Sequence, residues 1–241
     1  MGLLFTAGLA SSQTKKAAAP TATPALPEFR PALLGTGPDS LINRIDTADL
    51  IKKGQKDAAI MFACIVAPIG EIMLSETYRG TPESKLLEQE LVKRLSKAKF
   101  IPAIYNHKPV PVFFYGTAVF SVVNGKPRLR IFSNQQLDEL KKENDFIDPQ
   151  PYFGEDSKFT GPHYPDTGTS VRVTGVVELA LNVDATGNLT NIQLVSESPP
   201  LLGFGDSAIS DFKGAKFIPA FRNGQPVEGK VTLRVYYKPS D

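Results

Sequence analysis

Few residues in this chain have the types and spacing that covalent chemistry needs. Two histidines, His107 and His163, lie far apart, and neither has a companion at metal-ligand spacing. Both read as solvated loop residues. The single cysteine, Cys64, sits within Ile60-Met61-Phe62-Ala63-Cys64-Ile65-Val66. A reactive thiol needs an electropositive, partly exposed position, and this apolar run predicts core packing instead. Glu88 and Glu90 are two apart on an expected helix, so they face different sides and cannot act as one acid–base pair. Asn223-Gly224 reads as a turn rather than a ligand site. One cysteine also excludes an internal disulfide and a multi-cysteine metal centre. No catalytic residue, cofactor or metal is expected, and the chain reads as a non-enzyme.

The bulk properties agree. A chain of 241 residues allows one large or two small domains, at roughly 100–200 residues each. Apolar residues make up 41% and charged residues 22%, close to globular averages, which excludes whole-chain disorder. Lys and Arg number 27 against 25 Asp and Glu, a net +2 that is too small for a protein built around nucleic acid. The charge is unevenly spread: residues 46–133 are net +5, residues 134–163 net −4 and residues 164–241 net −1. The basic excess in 46–133 could dock an acidic partner or a lipid headgroup surface, although a solvated face is the commoner meaning.

The chain opens with the apolar run Gly2 to Ala10, and Gly8 and Ala10 precede Ser11-Ser12-Gln13. Small residues at that spacing resemble a signal-peptidase site, so residues 1–12 read as a signal peptide, truncated at its front because no basic residue precedes the run. The alternative is a plain apolar tail. A membrane span would need about 20 apolar residues. Residues 13–45 read as an Ala/Pro-rich linker, in which Pro20, Pro24, Pro27, Pro31 and Pro38 favour extended backbone.

Behind this linker lies a repeat. Lys99-Phe100-Ile101-Pro102-Ala103 recurs as Lys216-Phe217-Ile218-Pro219-Ala220, and Asn106, Pro109 and Val110 recur as Asn223, Pro226 and Val227. The offset of 117 residues holds upstream without a gap, placing Gly70 on Gly187, Pro82 on Pro199 and Ala98 on Ala215. Each copy reads as strand, turn, strand, helix, loop, strand. In the second copy Val176–Val183 and Leu189–Val195 flank Asp184-Ala185-Thr186-Gly187, a turn whose glycine supplies positive φ. A helix is expected around Asp206–Lys213. In the last strand Val231, Leu233, Val235 and Tyr237 alternate with Lys230, Thr232, Arg234 and Tyr236. In the first copy Thr81 is expected to cap a helix that has Pro82 at its first position and Leu87, Leu91 and Leu95 on one side. Val112–Val123 is a long strand ending at Asn124-Gly125, a hairpin signal. Arg128–Phe132 reads as an added strand and Asn134–Glu143 as an extra helix. Residues 144–163 read as an acidic connector that few contacts should cross.

The second copy resembles the C-terminal domain of the TonB family of energy transducers over about residues 164–238. The resemblance rests on Tyr164-Pro165, Gly175, Asp184 with Gly187, Ser196, Phe217, Pro219, Ala220, Asn223, Gly224, Pro226 and Val227. Their combined spacing is specific, and their role is structural. The first copy keeps Gly70, Phe100, Pro102, Ala103, Asn106, Pro109 and Val110 but has Thr47-Ala48 in place of Tyr-Pro, Ala58 in place of the leading Gly and His107 in place of the turn Gly. It reads as a diverged copy. The resemblance implies an α+β fold of two tandem TonB C-terminal-like domains over 46–143 and 164–241. Each would be a small, mostly antiparallel sheet with a helix on one face.

The function it implies is that of a TonB-like protein of the periplasm or cell envelope. Such a protein binds an extended peptide of an outer-membrane TonB-dependent receptor by strand addition, in energy-coupled transport. The expected partner-binding edge is Lys230, Val231, Thr232, Leu233, Arg234, Val235, Tyr236 and Tyr237, offered to a polar or acidic segment. Inner-membrane motor proteins enter as partners only if an anchor lies upstream. The alternative function is an envelope structural or oligomerisation module with no energy-transducing role.

Overall fold

Backbone pairing carries the 117-residue offset through two successive units. The computed structural model describes residues 25–133, 145–166 and 172–239. The signal-peptide reading over 1–12, the front of the linker and the helix expected over 134–143 fall outside the described residues. The first unit contains β1 (Phe29–Arg30), α1 (Leu41–Arg44), α2 (Thr47–Lys52), β2 (Ala58–Val66), β3 (Ile72–Gly80), α3 (Lys85–Leu95), β4 (Ala103–Tyr105), β5 (Lys108–Val110), β6 (Val112–Val123) and β7 (Lys126–Phe132). The second contains β8 (Phe146–Ile147), β9 (Gln150–Pro151), β10 (Gly175–Val183), β11 (Leu189–Ser198), α4 (Phe204–Phe212), β12 (Phe217–Ile218), β13 (Ala220–Arg222), β14 (Gln225–Val227) and β15 (Gly229–Tyr237). The main sheets are β3-β2-β6-β7 and β11-β10-β15, antiparallel throughout each pairing.

The two units share their pairing register as well as their element order. Val66 faces Val112 in the first sheet, and Val183 faces Gly229 in the second, both 117 residues later. Helices α3 and α4 each lay three buried side chains on their sheet. These are Leu87, Leu91 and Leu95 in one and, at the same offset, Phe204, Ala208 and Phe212 in the other. The i, i+4 spacing puts each trio on one stripe, and burying a large apolar side chain contributes roughly 1.5–3 kcal/mol. Two helix starts differ from the sequence reading. α3 begins at Lys85, after Ser84, so Thr81 does not cap it; its hydroxyl accepts the Ala59 N–H at 3.1 Å instead. α4 begins at Phe204, behind a left-handed Gly203, which brings Phe204 into the core.

The correspondence extends into the stretches read as linkers. Phe29 and Arg30 pair with Tyr105 and Ile104, and Phe146 and Ile147 pair with Arg222 and Phe221, again at the same offset. Leu33 faces Ile101, just as Gln150 faces Ile218. Ala32 and Leu41 are fully buried. Strands of two residues leave no hydrophobic period to read, and a Pro-rich segment is already extended enough to pair at a sheet edge.

Nor does the expectation of few contacts across the connector hold. The face of the first sheet turned away from α3 carries Ala63, Tyr78, Phe113 and Tyr115, which join the core of the second unit. Phe159 links them, 6.1 Å from the Phe113 ring and 4.9 Å from that of Phe212. In return Tyr152, Ile218 and Phe221 enter the first core, and Tyr152 stacks on Tyr105 at 4.2 Å. The buried Gln150 amide bonds both backbone groups of Ala32, at 2.7 and 3.1 Å.

Candidate partner-binding edge

The residues that carry the sequence resemblance build the frame behind β15. Gly187 adopts φ +84°, and its carbonyl accepts the Phe217 N–H at 2.9 Å. Phe217 is fully buried beside Phe212. Gly175 leaves room for the Phe204 ring, whose nearest carbon lies 2.5 Å from where a Cβ would stand. Tyr164 donates its hydroxyl to the Val173 carbonyl at 2.5 Å and meets Phe204 edge to face, and Pro165 is buried. Pro219 separates β12 from β13, and Ala220 is fully buried. Asn223 and Gly224, at φ +50° and +73°, turn β13 into β14, the conformation a tight two-residue hairpin requires. Pro226 lies inside β14, an edge strand, where a missing donor is tolerated.

The Gly187 turn is held by Asp184. One carboxylate oxygen accepts Thr186 N–H at 2.9 Å, the Thr186 hydroxyl at 2.7 Å and Asn188 N–H at 2.9 Å, and the other accepts the Asn188 amide at 3.0 Å. Partial burial pushes this carboxyl up, but the hydrogen bonds from Asn188 and Thr186 outweigh it and hold the group at about 2, below its ordinary 3.8. A depressed carboxyl stabilises the fold above its ordinary value, and that contribution disappears as pH falls through about 2. Asp184→Ala should therefore cost about 1–2 kcal/mol at neutral pH. In urea titrations the gap from wild type should close between about pH 4 and 2, and a gap of constant size would refute this account of the turn.

Strand β15 pairs with β10 on one side and, among the described residues, has no strand neighbour on the other. Val231, Leu233, Val235 and Tyr237 are buried toward α4. Of the alternate residues, Lys230 and Thr232 are exposed. Arg234 and Tyr236, expected to point outward, instead form the seam with the first unit. Arg234 is ion-paired with Glu178 and reaches Met61 Sδ at 4.0 Å. Tyr236 stacks on Tyr78, with ring centres 6.1 Å apart. Lys238 approaches Glu76 at 3.8 Å. The Arg234 hydrogen bond, against some burial, holds the Glu178 carboxyl below the usual range, whereas burial pushes the Glu76 carboxyl up.

Glu178, Met61, Tyr78 and Glu76 thus flank the edge, and sequence reasoning did not single them out. One signal was present: Ile60–Val66 is apolar on both alternations, which marks a strand covered on both faces.

The remaining candidate residues have structural surroundings. Cys64 is 2% exposed, and burial pushes its thiol up. His107 Nδ1 lies 2.8 Å from the Leu26 carbonyl. His163 is less free than a solvated loop residue. Its ring Nδ1 and backbone N–H both meet the Asp211 carboxylate, at 2.7 and 2.9 Å, tying the segment between β9 and β10 to α4. Among the described residues no group of His, Cys, Asp or Glu could hold a metal ion, and no helix is long and apolar enough to cross a membrane.

The second unit is thus a helix-backed antiparallel sheet with β15 at one edge and the structural motif behind it. Residues 160–239 match the family described as Gram-negative bacterial TonB protein C-terminal. Residues 160–239 are thus a TonB C-terminal domain, and such domains are non-catalytic adaptor modules typical of the periplasm and cell envelope. No curated protein matches the chain.

Proposed function

We propose that the chain is a TonB-like adaptor of the periplasm that binds an extended segment of an outer-membrane receptor by adding it as a strand to β15. The observation that supports this best is that β15, whose one face is packed on α4, forms an edge of the sheet within the residues that match the family; β11 forms the other edge. Strand addition draws its affinity from backbone hydrogen bonds and needs no catalytic group. Arg234 is engaged by Glu178, so charge selection for an acidic segment rests less on the strand than its sequence implies.

We also propose that the first unit is a diverged copy of the second, with boundaries near 28–133 and 145–239. The shared register and the equivalent β1 and β8 support this reading.

Titrating the isotope-labelled full chain with extended peptides drawn from the organism's own outer-membrane receptors tests the function. Shift changes and slowed amide exchange are expected over 229–237. Changes centred elsewhere, or none at millimolar peptide, would favour the envelope structural module.

A further inference from the structure

The β15 edge of the second unit has a counterpart in the first unit that carries another strand. β6 occupies the position of β15: each pairs with the inner strand of its sheet, in the same register. On its other side β6 carries β7, from Val123 opposite Lys126 to Thr117 opposite Phe132, after a turn at Asn124-Gly125 with φ +51° and +73°. The far end of β6 is also taken. Val112 pairs with Tyr152, and the Phe153 N–H reaches the Pro111 carbonyl at 2.9 Å. Only about four residues of β6 remain between these two closures, fewer than the commonest strand length of about five to six.

The grip on β7 is that of an added strand rather than a core strand. None of its seven residues is buried. Leu129 and Ile131, two apart and so on one side, pack partly against the first core, while the strand lies beside α1 and α2. Continuous backbone pairing with shallow seats for alternate side chains is how a peptide adds to a sheet.

We propose that β7 is a strand ligand carried in cis. It covers the β6 edge that corresponds to β15, and β6 becomes a further acceptor when β7 is withdrawn. This inference does not depend on what β15 binds.

The test is a full-length variant with residues 126–132 replaced by a Gly/Ser stretch, probed with a labelled synthetic peptide of residues 125–133. The peptide should bind the variant at least tenfold more tightly than wild type and protect amides 117–123 from exchange. Equal binding to both proteins, protection over 229–237 instead, or no binding by a folded variant would overturn the proposal. Native-state hydrogen exchange on the wild type keeps the question decidable if the variant does not fold. Amides of β7 should then exchange at least tenfold faster than those of β2, through an opening that leaves β2 protected. Exchange of β7 only together with β2 would overturn it.

Discussion

Gly187→Ala is expected to lower the stability of the protein by about 3–5 kcal/mol, the range of the most damaging point substitutions. A Cβ at this position would stand 2.1 Å from the Phe217 carbonyl oxygen, far inside van der Waals contact. That oxygen belongs to the backbone, so no side-chain rotation relieves the clash. The turn or β12 must move, which strains the 2.9 Å bond from Phe217 N–H to the Gly187 carbonyl. The left-handed φ of +84° adds about 1 kcal/mol for any residue with a Cβ. Gly224 supplies the control. It has φ +73°, but nothing lies within 4 Å of its Cβ position, so Gly224→Ala should cost only that backbone term of about 1 kcal/mol. Urea unfolding followed by circular dichroism separates the two. Similar midpoints would mean that φ alone, and not the approach of Phe217, requires glycine at 187.

Phe159→Ala should cost about 3–5 kcal/mol, as removal of a buried aromatic ring does. Phe159 is 1% exposed and packs against Phe113 of the first unit and against Phe153 and Phe212 of the second. The loss should therefore be felt on both sides of the seam. Hydrogen exchange should show amides of β2 and β10 losing protection together, and the variant should still unfold in one transition. If β10 loses protection while β2 keeps it, the units are energetically separate despite sharing a core.

The parts legible in the sequence were those whose side chains repeat on a short period or occupy a constrained turn. Leu87, Leu91 and Leu95 mark a helix stripe; Asn124-Gly125 marks a hairpin; the alternation from Lys230 to Tyr237 marks a strand with one buried face. Three kinds of feature were hidden. β1, β8 and β9 are two residues long and are defined by backbone partners, so their side chains carry no pattern. The pairing of His163 with Asp211 joins residues 48 apart, which no local spacing reveals. The seam at Arg234 and Tyr236 depends on where the first unit sits, so alternation alone assigned both residues to solvent. Even so, the doubly apolar run from Ile60 to Val66 and the adjacent Phe113, Phe114 and Tyr115 recorded that the first sheet is covered twice. Only the identity of the cover was missing.

The shared core also sets an order of events when the chain is made. Phe113 and Tyr115 are synthesised early, but the residues that cover them, from Phe159 to Val235, follow over the next 120 or so positions. At roughly 5–20 residues per second, this leaves an aromatic sheet face uncovered for about 6–24 s. The first half therefore carries an uncovered aromatic face until the second half is present to fold against it.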